Sequence, residues 1–111
     1  MSETQSTKTL LFPQKPSNEE LARGWTLSPS DQEETFRCRG GMNRLRFALQ
    51  LCTLRTYGQF LHEYSAVPVV IMNHLAHQLG LSPLLSLSEP DRPATETLYR
   101  QRIRDYLSKY K

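Results

Sequence analysis

The stretch Asn43–Tyr57, NRLRFALQLCTLRTY, decides the fold. Leu45, Ala48, Leu49 and Cys52 recur at i, i+3, i+4 and i+7, which is one stripe of a 3.6-residue helix. Phe47, Leu51 and Leu54 form a second stripe beside it, so the apolar arc is wider than a surface helix needs. Such a helix is central, with neighbours on two sides, and Leu49 and Cys52 are predicted to be buried. Gly58 is its natural stop.

Working outward, both flanks also read as helical. Ser17-Asn18-Glu19-Glu20 has the look of a helix start and feeds a short turn ending at Gly24. Trp25 and Leu27 precede Ser28-Pro29, where serine caps and proline fits the first helical position. Asp31, Glu33 and Glu34 then fall in the first turns, where the helix dipole favours acids. This helix is expected to run to about Cys38 and stop at Gly40-Gly41. Beyond Gly58, Val67-Pro68 opens a further helix with Met72, Leu75, Ala76 and Leu79 on its buried stripe and Gly80 at its end. Ser82-Pro83 begins a short helix or turn through Leu87. A last helix runs from Pro93 to about Lys109, with Tyr99, Ile103, Tyr106 and Tyr110 at i, i+4, i+7 and i+11, flanked by Leu98 and Leu107. No run alternates long enough for a strand. Val67–Ile71 is β-branched, but its proline and the helical period that follows favour helix. The expected class is all-α: a compact bundle of about five helices over residues 17–111, with a helix-turn-helix-like arrangement. Residues 1–16 read as a mobile leader with one docking patch, Leu10, Leu11 and Phe12.

At 111 residues, 38% apolar and 23% charged, the chain suits one domain with one modest core. No apolar run approaches the ~18–20 residues that span a bilayer. The opening MSETQSTKTLLF lacks the basic region and long apolar stretch of a signal peptide. Cys38 and Cys52 are too few for a disulfide scaffold or a four-ligand zinc site, so a reducing cytoplasm is expected. The net charge of +3 is unevenly spread. Residues 37–57 carry Arg37, Arg39, Arg44, Arg46 and Arg55 and no acid; residues 58–91 carry acids and no Lys or Arg; residues 92–111 are basic again. Arginine dominates both basic blocks, and its planar fork suits phosphate and guanine. The pattern points toward a polyanion.

A catalyst lacks parts. His74 and His77 stand at i, i+3, a spacing able to hold a metal, but only His62 or Glu63 offers a third ligand. No metal and no cofactor are expected. Cys52 belongs to the buried stripe. Cys38 stands beside Arg37 and Arg39, whose charge lowers a thiol pKa, yet no paired histidine is evident and no nucleophile is assigned. Glu19-Glu20 and Glu33-Glu34 sit in surface turns, so paired carboxylates in an apolar setting are missing. No catalytic residue is assigned.

A nucleic-acid binder does have parts. The last helix places Thr95, Thr97, Arg100, Arg102 and Arg104 along its outward side, and Pro93-Ala94-Thr95 offers free N–H groups to a phosphate. A helix with Thr and Arg in its early turns, after a helix and a turn, is the layout of a helix-turn-helix reader, with Thr97, Arg100 and Arg104 following a major groove. Arg37, Arg39, Asn43 and Arg44 surround the Gly40-Gly41 turn and suit the sugar–phosphate backbone, as do Lys109 and Lys111. The plain alternative is an amphipathic surface helix in which Glu96 and Arg100 pair at i, i+4.

The string Arg39–Arg55, RGGMNRLRFALQLCTLR, resembles the "RG..NRLGFALQLC.LR" segment near the start of Tn3-family transposases. Trp25-Thr26-Leu27-Ser28 resembles that family's aromatic-T-L-S/T opening. Val67-Pro68 with Leu75–Leu81 resembles "(I/V)P…(I/L)A.QLGL", and Thr97–Leu107 resembles "T…H…IR.YLG". The resemblance, to the N-terminal DUF4158-type DNA-binding region of these transposases, covers roughly residues 10–111. It departs at Arg46, where the family pattern has glycine; arginine there adds a phosphate contact or costs a close helix approach. Family members are several-fold longer and carry an Asp-Asp-Glu core with magnesium far toward the carboxyl end. The resemblance therefore implies a module without that core, performing no strand cleavage or joining alone. It implies sequence-specific binding of duplex DNA at transposon terminal inverted repeats, in a bacterial cytoplasm and on the nucleoid when bound, by an isolated domain that is monomeric. The DNA-binding residues expected from charge and position in the chain are Arg37, Arg39, Asn43, Arg44, Arg46, Thr95, Thr97, Arg100, Arg102, Arg104 and Lys109. The competing class is a protein–protein module that packs on the remainder of a transposase, or a stand-alone repressor-like regulator. Arginine clustering separates them, because protein interfaces are depleted in charge at their centre.

Overall fold

The computed structural model describes residues 12–90 and 92–109. Five α-helices follow one another: α1 (Asn18–Gly24), α2 (Pro29–Phe36), α3 (Gly41–Tyr57), α4 (Val69–Gln78) and α5 (Pro93–Ser108). A single 3-10 turn, Tyr64–Ala66, stands between α3 and α4. Among the described residues there is no strand, and the class is all-α as expected. Leu10, Leu11, Tyr110 and Lys111 lie outside the described residues. Phe12 is buried, with its ring centroid 5.9 Å from that of Trp25 and 5.5 Å from that of Tyr57.

α3 is the axis of the molecule. Its first stripe, Leu45, Ala48, Leu49 and Cys52, is fully buried in a cluster that includes Leu21, Trp25, Ile71, Met72 and Leu75. Its second stripe enters a separate cluster, where Phe47 and Leu51 meet Tyr99, Ile103 and Tyr106 of α5 and Leu54 packs at the margin. The wide apolar arc thus seats two cores back to back. One helix serves both because its buried arc covers more than the ~100° an ordinary surface helix hides.

The helix starts are not alike. α1 and α2 each open with a complete capping box, Ser17 with Glu20 and Ser28 with Asp31. In each, the serine oxygen accepts the backbone N–H of the third helical residue, and that residue's carboxylate accepts the serine N–H. α3 begins at Gly41, earlier than the Asn43 expected, because Gly40 at φ +84° turns the chain directly into the helix. Gly41 also admits its neighbour closely: a Cβ there would lie 2.5 Å from Cδ2 of Leu81.

The segment Ser82–Leu87, open between short helix and turn, is not helical. Asn73 of α4 engages both backbone groups of Leu84, donating to its carbonyl at 2.9 Å and accepting its N–H at 2.7 Å. Those bonds replace the ones a helix would make, and Leu87 is buried in the first cluster. The link from α4 to α5 is therefore a long one, residues 79–92.

Two polar networks cross the cores. Asp31, 2% exposed, receives both terminal nitrogens of Arg55 at 3.0 and 2.9 Å and the Tyr106 hydroxyl at 2.6 Å, tying α2, α3 and α5 together. Burial would raise its pKa, but the bonds from Arg55, Tyr106 and the Ser28 N–H outweigh burial and hold the carboxyl below its ordinary value. Buried Gln50 brackets Leu61, donating to its carbonyl at 2.9 Å and accepting its N–H at 2.8 Å. The same Gln50 amide donates to Glu96 at 2.6 Å, and Glu96 also accepts the Tyr64 hydroxyl at 2.7 Å.

Candidate nucleic-acid interface

α3 and α5 run side by side in the same direction. Gln50 of α3 meets Glu96 near the start of α5, and Arg55 and Tyr106 converge on Asp31 near both helix ends. Their starts consequently fall together. Gly40–Asn43, Arg46, Pro90, Arg92 and Thr95 line one cleft of about 480 Å³. Neither start has a side-chain cap. The first turn of α3 holds no acid, and the acid in the first turn of α5, Glu96, is engaged by Gln50, Tyr64 and Arg100. α3 brings the uncapped N–H groups of its first turn, while at α5 Pro93 has no N–H and the Thr95 N–H donates to the Arg92 carbonyl at 3.0 Å, so α5 contributes mainly its dipole end to a cleft that favours an anion.

The arginines divide by what holds them. Arg46 is only 8% exposed. Its Nε donates to the Ser88 carbonyl at 2.8 Å and one terminal nitrogen to Asn43 Oδ1 at 2.7 Å, so it braces the wall of the cleft. Arg102 is half-buried over the Phe47 ring, donating to the Glu34 carbonyl at 2.9 Å and pairing with its carboxylate at 3.3 Å. Arg44 lies over Phe36 and donates to the Cys38 carbonyl at 3.0 Å, closing the end of the α2 loop. Arg100 pairs with Glu96 at 3.3 Å, donates to the Leu61 carbonyl at 3.2 Å and stacks on Phe60. Asn43 is shared between Arg46 and the Arg39 carbonyl. Thr95 is half-buried in the cleft wall.

Outward-facing cations remain. Arg39, Arg92 and Lys109 are exposed, Arg104 is exposed with its guanidinium 5.0 Å from the Phe60 centroid, and Arg37 is exposed while pairing with Glu34 at 3.0 Å. Thr97 is exposed on α5. Arg92 was not among the residues assigned from sequence, although it immediately precedes the α5 start. Its signal was its place before Pro93, at the one position where a cap would normally sit. Asp31, Arg55 and Gln50 also gave no functional signal, because their partners are distant in sequence.

The remaining chemical candidates settle into the fold. Burial pushes the Cys38 thiol up despite the Arg102 contact, opposite to the lowering that neighbouring arginines suggested. Arg37 is engaged by Glu34 and Arg39 is exposed, and the Cys38 sulfur accepts instead from Arg102 at 3.4 Å. Burial raises Cys52 to about 12. His74 lies 3.4 Å from the Thr26 hydroxyl, and burial and His77 lower its pKa. Among the described residues no group of three metal-ligating side chains assembles, and no helix is long and apolar enough to cross a membrane.

Fold and site together define a small all-helical domain whose basic corner is built around two open helix starts. The chain belongs to the family described as a domain of unknown function, DUF4158, which matches residues 1–110. It is 33% identical over 107 residues to the transposase for transposon Tn501 of Pseudomonas aeruginosa, an alignment covering 96% of this chain and 11% of that protein. The chain therefore spans about a tenth of the length of that relative. No solved structure matches. These findings agree with the resemblance to the N-terminal region of Tn3-family transposases.

Proposed function

We propose that the chain is a sequence-specific duplex-DNA-binding module that docks on the terminal inverted repeats of a transposon and supplies recognition without strand chemistry of its own. The observation that carries this reading is the shared cleft. α1 and α2 are fully capped, whereas α3 and α5, the two longest helices, leave their starts open toward the same space beside Arg92. A backbone phosphate in that cleft would satisfy N–H groups that the chain itself leaves without side-chain partners. Arg37, Arg39 and Arg44 at the α3 start then touch the sugar–phosphate backbone and set register, carrying no sequence information. α5 presents Thr97 and Arg104 to the groove, with Arg100 beside them and Lys109 on phosphate at its far end. Arg46 and Arg102 act by holding the two helices in place. Relationship to a transposase supports transposition as the setting.

The test is the salt dependence of duplex binding. Several phosphate contacts require log K to fall with log salt at about −0.9 per phosphate neutralised. An affinity that hardly moves between low and moderate salt overturns the reading. A second reading, a protein partner, is motivated by the exposed apolar residues Val69 and Val70 at the α4 start and Leu85, which is 89% exposed. Exposed apolar side chains of this kind suit docking on the rest of a transposase.

A further inference from the structure

The outward front of α5 differs from its flanks in a way that narrows what it touches. Ala94, Thr97, Leu98 and Gln101 occupy the exposed side of the first two turns, opposite the buried Tyr99 and Ile103. None of the four is charged. Exposed charges stand around them instead: Arg92 at the helix start, Arg104 one turn past Gln101 on the edge and Lys109 at the far end, with a single acid, Asp105, one turn beyond Gln101 and bonded to it. A neutral front whose border is mainly cationic matches a DNA major groove, whose base edges are uncharged and whose walls are phosphates. Leu98 is the anomaly within this front. It is 56% exposed and joins neither apolar cluster, although every other large apolar residue of α5 among the described ones is buried or half-buried.

We infer that Leu98 is a base-reading residue that packs on the C5-methyl group of a thymine in the major groove. The inference rests on the duplex-DNA reading above and adds a residue and a base to it. Thymine is the one base that presents a methyl group there, and apolar side chains are its natural contact. The position of Leu98 fits such a contact. α5 enters by its first turns, as recognition helices do, and its open start lies against the phosphate cleft that fixes its depth. Gln101 stands one turn along the same exposed front. Its amide nitrogen donates to Asp105 at 3.1 Å, which leaves the amide oxygen as the acceptor for an exocyclic amine.

The experiment uses the 111-residue chain and a duplex library with a randomised central segment. Repeated selection on the unaltered chain enriches a site. Each thymine of that site is then replaced by deoxyuracil, which removes the methyl group and nothing else. The expected result is one thymine whose replacement weakens binding roughly fourfold, the worth of one methyl-sized apolar group. L98A binds the thymine and uracil duplexes equally and keeps the unaltered chain's affinity for scrambled duplex, which also shows that it is folded. The inference is overturned if L98A keeps the same thymine-to-uracil ratio, or if no thymine in the site is sensitive to replacement; the duplex-DNA reading survives either result. If the unaltered chain binds no duplex at any salt concentration, the duplex-DNA reading falls and takes this inference with it.

Discussion

The two ends of the α3–α5 pair solve the same electrostatic problem in opposite ways. At the Asp31 end, an arginine, a tyrosine and the Ser28 N–H all converge on one buried carboxylate, whose charge is met inside the chain. At the Gly40–Arg92 end, two helix starts point into an open cleft with no side-chain cap, and cations stand around it facing solvent. A missing N-cap costs about 1 kcal/mol, and the chain shows with Ser17 and Ser28 that it can supply one. The contrast teaches where stability is concentrated and where it has been given up. The closed end holds the helices together, and the open end is shaped for something outside the molecule.

The comparison breaks most visibly at its shared middle. Leu49 is fully buried in α3, so Leu49→Ala should cost ~2–5 kcal/mol by removing apolar contacts and leaving a cavity. Urea unfolding measures it, and a variant as stable as the parent would mean that α3 is not the axis. At the closed end, Asp31→Ala should cost about 2–3 kcal/mol, less than a fully buried pair because the Arg55 side chain stays 39% exposed. Duplex affinity should be unchanged wherever that variant remains folded; a parallel loss of binding would show that the two ends are not separable.

The same carboxylate predicts a pH dependence. Its folded pKa lies below its ordinary value, so its contribution is present above the unfolded value near ~3.9 and is lost as pH falls through the folded one. Thermal stability should stay level from about pH 7 to 5 and decline below about 4, with Asp31→Asn flattening that decline. At the open end the effects on stability should nearly vanish. Arg39→Ala and Arg92→Ala, both exposed, should each stay within about 0.5 kcal/mol in stability. Each should weaken cognate and scrambled duplexes alike and reduce the salt slope by about 1. Loss confined to the cognate duplex would make them readers of sequence instead.

The apolar core and the local caps were legible in the sequence, the Asp31–Arg55–Tyr106 network was not, and the open end was legible only in pieces. The two stripes of α3 follow from residue period alone, which is why Leu45, Leu49 and Phe47 fell on the right sides of the right helix. The Ser28-Pro29 start was visible because capping is local. Charge pattern marks the sign of a block but not which arginine the fold consumes. Arg102 read as an outward cation and Arg46 as a phosphate contact or an obstacle to close helix approach, and only tertiary structure shows Glu34 and Ser88 holding them. The Gly40-Gly41 turn and the Pro93 start each read as a phosphate site. That they form one site depends on α3 and α5 running in the same direction, which contacts such as Gln50–Glu96 dictate across a wide sequence gap. The non-helical course of residues 82–87 was equally hidden, since a side chain on another helix, Asn73, imposes it.

The most direct measurement pairs stability with binding in a single variant at the open end. Arg92 has the extended backbone of an N-cap, φ −116° and ψ 125°, but no capping side chain. Arg92→Asp should place a capping carboxylate on the α5 start and raise stability by about 0.5–1 kcal/mol in thermal melts. The same carboxylate would offset the α5 dipole end offered to a phosphate and repel the DNA backbone, so duplex affinity should fall at least tenfold at moderate salt. A variant that gains stability and keeps full duplex affinity would contradict the claim that this end is left uncapped for DNA.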